Sequence, residues 1–134
     1  MRSKVTTATA IVHLLRARLL VSTVRFENWR NRLGQDYGKA PTDADIERAK
    51  RLARHVDWAA RLLPIEVKCL PQAMACSFML KSEQIEHQLV LAVRRLHSRQ
   101  QPDILHAWVE VGGETILGDL PGEWIETLRL GEAK

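Results

Sequence analysis

Hydrophobic and polar positions alternate with a helical period in the first part of the chain. Apolar residues recur every three or four positions over residues 5–24 and again over residues 42–63, which is the spacing of one face of an α-helix. Thr42 with Asp45 forms a capping-box pattern, so the second helix is predicted to begin there. Small and apolar residues over 70–81 predict a third helix, buried between other layers.

The apolar stripe of the first helix allows two interpretations. It consists of these residues, which recur at spacings of one to five: Leu14, Leu15, Leu19, Leu20 and Val24. His13, Arg16 and Arg18 interrupt the run, so residues 5–24 do not form a membrane span. The stripe either packs on the core of the domain, which we expect, or docks a partner protein or a membrane surface.

From residue 86 onward the period changes to the alternation of β-strands. The segment EHQLVLAVRR, residues 86–95, has apolar residues on both faces and is predicted to be a central strand. The segment ILHAWVEV, residues 104–111, predicts a second strand, in which His106 and Trp108 point to the same face.

A glycine pair turns this pattern into a hairpin. Gly112 and Gly113 predict the turn, and the chain returns as a third strand that ends in Asp119. The tail after residue 121 is predicted to be a short helix or an edge segment of the sheet. At 134 residues the chain is predicted to form one domain over residues 1–134. Its parts are an N-terminal amphipathic helix region, two helices of which one carries Cys69, and a sheet with its tail, at residues 1–33, 42–81 and 86–134.

Composition and charge exclude several classes of protein. Hydrophobic residues make up 46% and charged residues 27% of the chain, close to the averages of globular proteins. The net charge of +4 is a modest excess without a zinc-finger or aromatic RNA-binding motif, so nucleic-acid binding is not expected. Cys69 and Cys76 lie two helical turns apart, too far for a disulfide. Free thiols suit a reducing compartment. Because no secretory signal precedes the domain, we expect a cytoplasmic protein.

Cys69 is the candidate nucleophile. Pro64 ends the preceding helical pattern and Pro71 lies in the first turn of the next one, so Cys69 is predicted at a helix N-terminus. The unpaired backbone amides and the positive end of the helix dipole stabilise a thiolate there. A buried, inert thiol is the competing interpretation, and it is the one that we adopt for Cys76.

His106 and Asp119 are the candidate partners of this thiol. A nucleophilic cysteine needs a base, and His106 lies on a predicted strand. The hairpin brings Asp119 back towards the start of that strand, where a carboxylate can orient the imidazole. Trp108, on the same face as His106, either belongs to the core or lines a substrate groove.

Spacing disfavours two other kinds of site. Common zinc sites contain ligand pairs with CxxC or HxxxH spacing. No such pair occurs among the candidate ligands, which are Cys69, Cys76, His87, His97 and His106. The segment GQDYGK lacks the spacing of a phosphate-binding loop. We therefore expect neither a metal nor a cofactor.

The motifs taken together resemble a known family. CLPQAMA at the start of a helix, the strand LVLAVRR, the segment HAWVEVGG and the following Asp119 are similar to the transglutaminase-like leader peptidases of lasso-peptide biosynthesis. HLLRARLL and RLARHVDWAARLLP resemble the N-terminal part of that family, so the resemblance covers most of the chain. It implies an α+β fold of the papain/transglutaminase-like type, in which the cysteine helix packs on a small antiparallel sheet.

The resemblance also implies a function. Members of the family cut the leader from a ribosomally made precursor peptide, and a cyclase of the asparagine-synthetase type then closes the lasso ring. By motif, Cys69 corresponds to the nucleophile, His106 to the general base and acid, and Asp119 to its orienting group. The alternatives to Asp119 are Glu110, which shares the face of His106, then Glu114, or no carboxylate at all. Some members carry a leader-recognition domain, for which this chain has no room, so we expect a separate leader-binding protein as a partner.

Two other functions remain open from the sequence. A non-catalytic interaction module of the same maturation complex would keep the fold without needing a reactive thiol. A transglutaminase or acyltransferase would use the same three residues and pass the acyl group to an amine instead of to water.

Overall fold

Helices precede strands, as the sequence predicts. The computed structural model describes residues 2–29, 32–94, 105–118 and 124–131. The helices are α1 (Arg2–Thr23), α2 (Phe26–Trp29), α3 (Asp43–Leu62) and α4 (Cys69–Ser82). The strands are β1 (Gln88–Arg94), β2 (Leu105–Val111), β3 (Glu114–Leu117) and β4 (Trp124–Leu130). They form an antiparallel sheet in the order β3-β2-β1-β4, so the described part of the chain has an α+β fold.

α3 begins at the capping box that the sequence predicts. The Thr42 hydroxyl accepts from the Asp45 N–H at 3.1 Å, and Asp45 Oδ2 accepts from the Thr42 N–H at 3.0 Å. This reciprocal pair satisfies two backbone donors at the start of the helix. α3 packs against α1 and α4. Its buried residues recur with the helical period: Ala49, Leu52, Ala53, Val56 and Ala59.

α1 packs on α3 and α4, which confirms the core-packing interpretation of the first helix. The predicted stripe is partly wrong: Ala10, Leu14 and Ala17 are fully buried, whereas Leu15 and Leu19 are 45% and 62% exposed. The prediction weighted large apolar side chains, but small alanines let neighbouring helices approach closely and so form the contact face. No helix within the described ranges has the length and apolarity needed to cross a membrane.

α4 is buried on nearly all sides. Pro71 and every residue over 73–80 are buried, with α1 and α3 against one side of the helix and β1 and β2 against the other. The helix begins at Cys69, one position before the predicted start. Cys76 is fully buried, and burial raises the pKa of its thiol to about 12. The prediction that Cys76 is a core residue is therefore confirmed.

The sheet has two chemically different faces. One face packs into the main core with the helices, through Leu89, Leu91, Ala107, Val109 and Val111. Strand side chains alternate, so the residues between these point to the opposite face, which we call the second face. On β1 and β2 the second face carries Val90, Ala92, His106, Trp108 and Glu110.

The edges of the sheet refine three predictions. β1 lies between β2 and β4, which confirms that it is a central strand. Of the two alternatives for the tail, the edge segment is correct, because β4 forms one edge of the sheet. β3 ends at Leu117, and Asp119, which was predicted to end this strand, lies outside the described residues.

A buried hydrogen-bond network joins the loop before α3 to α4 and to the start of β1. His87 is fully buried; its Nδ1–H donates to Ile85 O at 2.8 Å, and its Nε2 accepts from the Ser77 hydroxyl at 2.7 Å. Ser77 Oγ in turn accepts from the Gly34 N–H at 2.9 Å. Gln35 and His87 exchange two backbone hydrogen bonds of 3.0 Å. Burial disfavours the imidazolium and lowers the pKa of His87 from 6.5 to about 4.

We predict that His87 makes the fold sensitive to acid. Its imidazole takes up a proton near pH 6.5 in the unfolded chain but only near pH 4 in the folded one, so protonation between these values favours unfolding. The contribution to the free energy of unfolding should be fully present above pH 6.5 and fall by about 3 kcal/mol as the pH approaches 4. Denaturant unfolding of the wild type and of His87→Gln across this range measures the difference.

His55→Gln is the matched control. His55 is a half-buried histidine of α3 whose Nδ1 is hydrogen-bonded to Thr7 Oγ1 at 3.0 Å, outside the buried network. The control should retain the greater part of the acid-dependent loss, whereas His87→Gln should be much less sensitive to pH. A loss in His87→Gln as steep as in the wild type would show that another group is responsible.

Candidate active site

Cys69 is the first residue of α4, which confirms its predicted place at a helix N-terminus. Lys68 is the N-cap residue and makes no side-chain capping bond. Within the first turn, Pro71 has no N–H group, and the Gln72 N–H donates to Lys68 O at 3.3 Å. The N–H groups of Cys69 and Leu70 are therefore the first-turn donors that have no acceptor within the helix. The half-buried Cys69 thus lies at the positive end of the helix dipole, beside N–H groups that can donate to an anion.

The side chain of Gln72 restrains the connection that leads into Cys69. Its Nε2 donates to Val67 O at 2.8 Å. Gln72 lies in the first turn of α4 and Val67 lies just before the helix, so this bond joins the segments on either side of Cys69. The sequence prediction gave Gln72 no role, although it belongs to the CLPQA motif.

His106 lies near the start of β2, opposite Ala92 of β1. The residue is only 9% exposed, and its Nε2–H donates to Gly118 O at 2.5 Å. Because a carbonyl oxygen only accepts, Nε2 carries a proton in this bond. In the neutral form of the ring, Nδ1 then carries the lone pair that a general base requires.

The topology brings Cys69 and His106 to the same end of the layer formed by α4 and the sheet. α4 has 14 residues and spans about 21 Å, and β1 has 7 residues and spans about 23 Å. A short turn joins the end of α4 to the start of β1, so β1 runs back along the helix towards Cys69. Ala92, the partner of His106, lies near that far end of β1.

Cys69 and His106 belong to different sides of the sheet at this end. Cys69 contacts the main core, whereas His106 points to the second face. α4 packs directly against β2, but within the described residues no hydrogen bond joins the thiol to the imidazole. The described residues therefore do not show Cys69 paired with His106, and this pairing stays a prediction.

Two indole rings flank the imidazole of His106. The ring centroids of Trp124 and Trp108 lie 5.1 and 5.9 Å from the imidazole centroid, with the rings tilted by 33° and 35°. That Trp108 shares the face of His106 is confirmed. Trp124 lies in the tail, for which the sequence predicted only a short helix or an edge segment, because nothing local indicates that β4 pairs with β1.

A half-buried charge pair borders these aromatic rings. The Trp108 indole N–H donates to Glu110 Oε2 at 2.7 Å, and the Arg129 guanidinium donates to both oxygens of Glu110 at 2.9 and 3.3 Å. Arg129 also pairs with Glu126 at 2.5 Å. Burial alone would raise the pKa of Glu110, but the bonds from Arg129 and Trp108 outweigh it and lower this pKa below its ordinary value. Glu110 is therefore a firmly ionised carboxylate.

The candidate orienting carboxylates differ in what they contact. Asp119 lies outside the described residues and directly follows Gly118 in the sequence. Glu110 is committed to the indole and the guanidinium, and Glu114 forms an ion pair of 3.1 Å with a lysine of α3. Neither glutamate contacts His106. Within the described residues, the group that orients the imidazole is the carbonyl of Gly118, a backbone atom that leaves no trace in residue types.

The residues considered for a zinc site are dispersed. Within the described ranges, no three His, Cys, Asp or Glu side chains are grouped so that they can hold a metal ion. Cys76 lies in the apolar core, and both ring nitrogens of His87 are occupied by Ser77 and Ile85. His97 lies outside the described residues.

Comparison with known proteins identifies the family. The family model described as the transglutaminase-like superfamily matches residues 11–126, which is most of the chain. The chain belongs to this superfamily. No curated protein and no solved structure shows significant similarity to this chain. The transglutaminase-like α+β fold class predicted from the sequence is confirmed, and members of the superfamily are typically cysteine-dependent enzymes.

We predict that Gly118 controls the tautomer of His106. Gly118 has a φ of +84°, and an added Cβ would lie 2.8 Å from Ala107 O and 3.2 Å from Trp108 Cα. Gly118→Ala must therefore displace the carbonyl that accepts from Nε2. Nitrogen NMR of the wild type should show the proton on Nε2 of neutral His106, and the variant should lose this preference.

Gly113→Ala is the matched control, since Gly113 has a φ of +81° and an added Cβ there meets nothing within 4 Å. The control should lose about 1–2 kcal/mol of unfolding free energy through backbone strain and keep the His106 tautomer. If Gly118→Ala also kept the tautomer, the assignment of the carbonyl as the orienting group would be wrong.

Proposed function

We propose that the chain is a cysteine peptidase that removes the leader from a ribosomally synthesised lasso-peptide precursor. Cys69 is its nucleophile, His106 its general base and acid, and Asp119 the carboxylate that supports His106. The observation that carries the proposal is the thiol at the start of α4, together with the Nε2–H bond of His106 to Gly118 O, which in the neutral ring leaves Nδ1 able to accept a proton. The superfamily match and the motifs CLPQAMA and HAWVEVGG support the same chemistry.

The first half-reaction forms a thioester. His106 Nδ1 takes the proton of the Cys69 thiol, and the thiolate attacks the carbonyl carbon of the last leader residue. When the tetrahedral intermediate collapses, the peptide C–N bond breaks, and the imidazolium gives its proton to the departing amine. The leader remains as an acyl group on Sγ, and the core peptide leaves with a free amino terminus. An amide-forming cyclase of the asparagine-synthetase type, the expected next enzyme, needs this amine.

Water completes the cycle. His106 removes a proton from a water molecule, the resulting hydroxide attacks the thioester carbonyl, and Cys69 leaves as a thiolate. An amine that reached the thioester before water would yield an amide, which is the reaction of a transglutaminase or acyltransferase. The acceptor therefore separates the two activities, while the residues of the first step are the same.

The N–H groups of Cys69 and Leu70 are the oxyanion donors in this mechanism. Both lie in the first turn of α4, where no preceding turn supplies an acceptor. Loss of one such donor typically costs about 2.7–4 kcal/mol of transition-state stabilisation.

Asp119 has a supporting role in this proposal. Because the carbonyl of Gly118 already accepts from Nε2 of His106, the carboxylate of the next residue serves chiefly to stabilise the imidazolium that forms with the thiolate. A substrate-groove role for Trp108 stays a prediction. The contacts of this side chain within the described residues are with His106 and Glu110.

The test is mass spectrometry of a leader–core peptide incubated with the chain and a candidate leader-binding protein. The wild type should cleave at one junction, and Cys69→Ala should slow cleavage by at least about a thousandfold, as is usual when a nucleophile is removed. Cys76→Ala, which removes the buried thiol, is the matched control and should still cleave. Asp119→Asn should lower kcat more than it changes KM.

Three other results would each contradict part of the proposal. An intact peptide despite confirmed binding would favour the non-catalytic module. An amide product with an added amine, formed in preference to the hydrolysed leader, would establish an acyltransferase. Cleavage that is equally fast without the second protein would show that leader recognition needs no separate partner.

A further inference from the structure

A continuous series of contacts runs from β4 to the imidazole of His106. Arg129 donates to both oxygens of Glu110, Glu110 accepts from the Trp108 indole, and the Trp108 ring lies against His106. All four side chains lie on the second face of the sheet, away from the main core. The proposed reaction uses His106 and leaves the other three residues without an assigned role.

An irregularity in β4 gathers these groups on one face. Residues three apart in a regular strand point to opposite faces, yet Glu126 and Arg129 both bond on the second face. The register of β1 with β4 shifts between Leu91 and Ala92, so that Leu91 pairs with Leu128 and Ala92 with Glu126. This bulge turns the first part of β4, including Trp124, to the same face as Arg129, as bulges beside functional sites commonly do.

The charge pair fixes the direction of the indole. Two parallel N–H···O bonds from one guanidinium hold a carboxylate in a defined plane. The carboxylate of Glu110 then determines where the Trp108 N–H points, and this determines which part of the indole ring faces His106. The Glu110 and Arg129 side chains are only 15% and 22% exposed, so water competes little for these bonds.

We propose that Glu110 and Arg129 are positioning residues for His106 that act through the indole of Trp108. The pair keeps the imidazole at a fixed place and tilt on the second face. The effect on turnover rests on the proposed peptidase function, whereas the effect on the imidazole ring does not. Glu126 holds the guanidinium from within β4 and so supports the same arrangement.

A double-mutant cycle tests this series of contacts. Trp108→Phe keeps an aromatic ring but removes the N–H, and Arg129→Met removes the guanidinium. Each variant should shift the NMR signals of the His106 ring and lower kcat about tenfold with KM nearly unchanged. The double variant should be no worse than either single one, because Arg129 has no route to His106 once the indole bond is lost. Arg129→Lys keeps the positive charge but offers a single donor group. Its His106 ring signals and its kcat should therefore lie between those of the wild type and those of Arg129→Met.

Arg48→Met is the matched control, since it removes an arginine that pairs with Glu83 on the exposed surface. It should leave the His106 signals and kcat unchanged. If Arg129→Met lowers only the thermal stability and leaves the ring signals in place, the charge pair is merely structural and the proposal is overturned. Additive effects of Trp108→Phe and Arg129→Met on the ring signals would also overturn it.

The outcome for the positioning role is separable from that for the peptidase. If the wild type cleaves no peptide, the proposed function fails, but the NMR signals of His106 still decide whether the charge pair positions the ring. If Arg129→Met does not fold, the comparison of Trp108→Phe with Arg129→Lys takes its place. Ring signals that move in the same direction in both variants support the proposal, and unchanged signals in Arg129→Lys contradict it.

Discussion

The packing of α4 between two helices and the sheet is the interaction on which the rest of the structure depends. Four of its large side chains, Met74, Phe78, Met79 and Leu80, are buried, and each contributes about 1.5–3 kcal/mol by leaving water. A helix held on both sides cannot shift at its first turn, so Cys69 is fixed by the same contacts that stabilise the fold. The length of α4 is also close to that of β1, about 21 against 23 Å.

The second face of the sheet carries polar and aromatic side chains. The opposite face, which packs on the helices, supplies the apolar contacts of the core. There the imidazole of His106 is held by a backbone carbonyl and by two indole rings, and one of these rings is tied to a carboxylate and a guanidinium. Stability and chemistry are thus divided between the two faces of the same strands, and β2 contributes to both.

Local features of this fold could be predicted from the sequence, and long-range ones could not. The capping box at Thr42 and the helix start at Cys69 depend on neighbouring residues, and so does the alternation that puts His106 beside Trp108. The pairing of β4 with β1 joins segments that are distant in the chain. No local sequence pattern could therefore predict the contacts of Trp124 and Arg129.

Other features were missed because residue types do not encode them. The carbonyl of Gly118 belongs to the backbone, and the buried face of α1 uses alanines that hydrophobic periodicity underweights. Membership of the transglutaminase-like superfamily confirms the fold class and the general cysteine chemistry that the motifs predicted. The narrower activity towards a lasso-peptide precursor is our proposal, and it rests on the motifs alone.

The most direct test of the account is whether a leader fragment becomes attached to Cys69 during turnover. The chain is mixed with a leader–core peptide and the leader-binding protein, the reaction is stopped with acid, and the intact protein is weighed by mass spectrometry. The account predicts a species heavier by the acyl form of the leader, with the adduct on Cys69 and absent from Cys69→Ala. Release of the leader by the wild type without such a species, together with undiminished cleavage by Cys69→Ala, would contradict it.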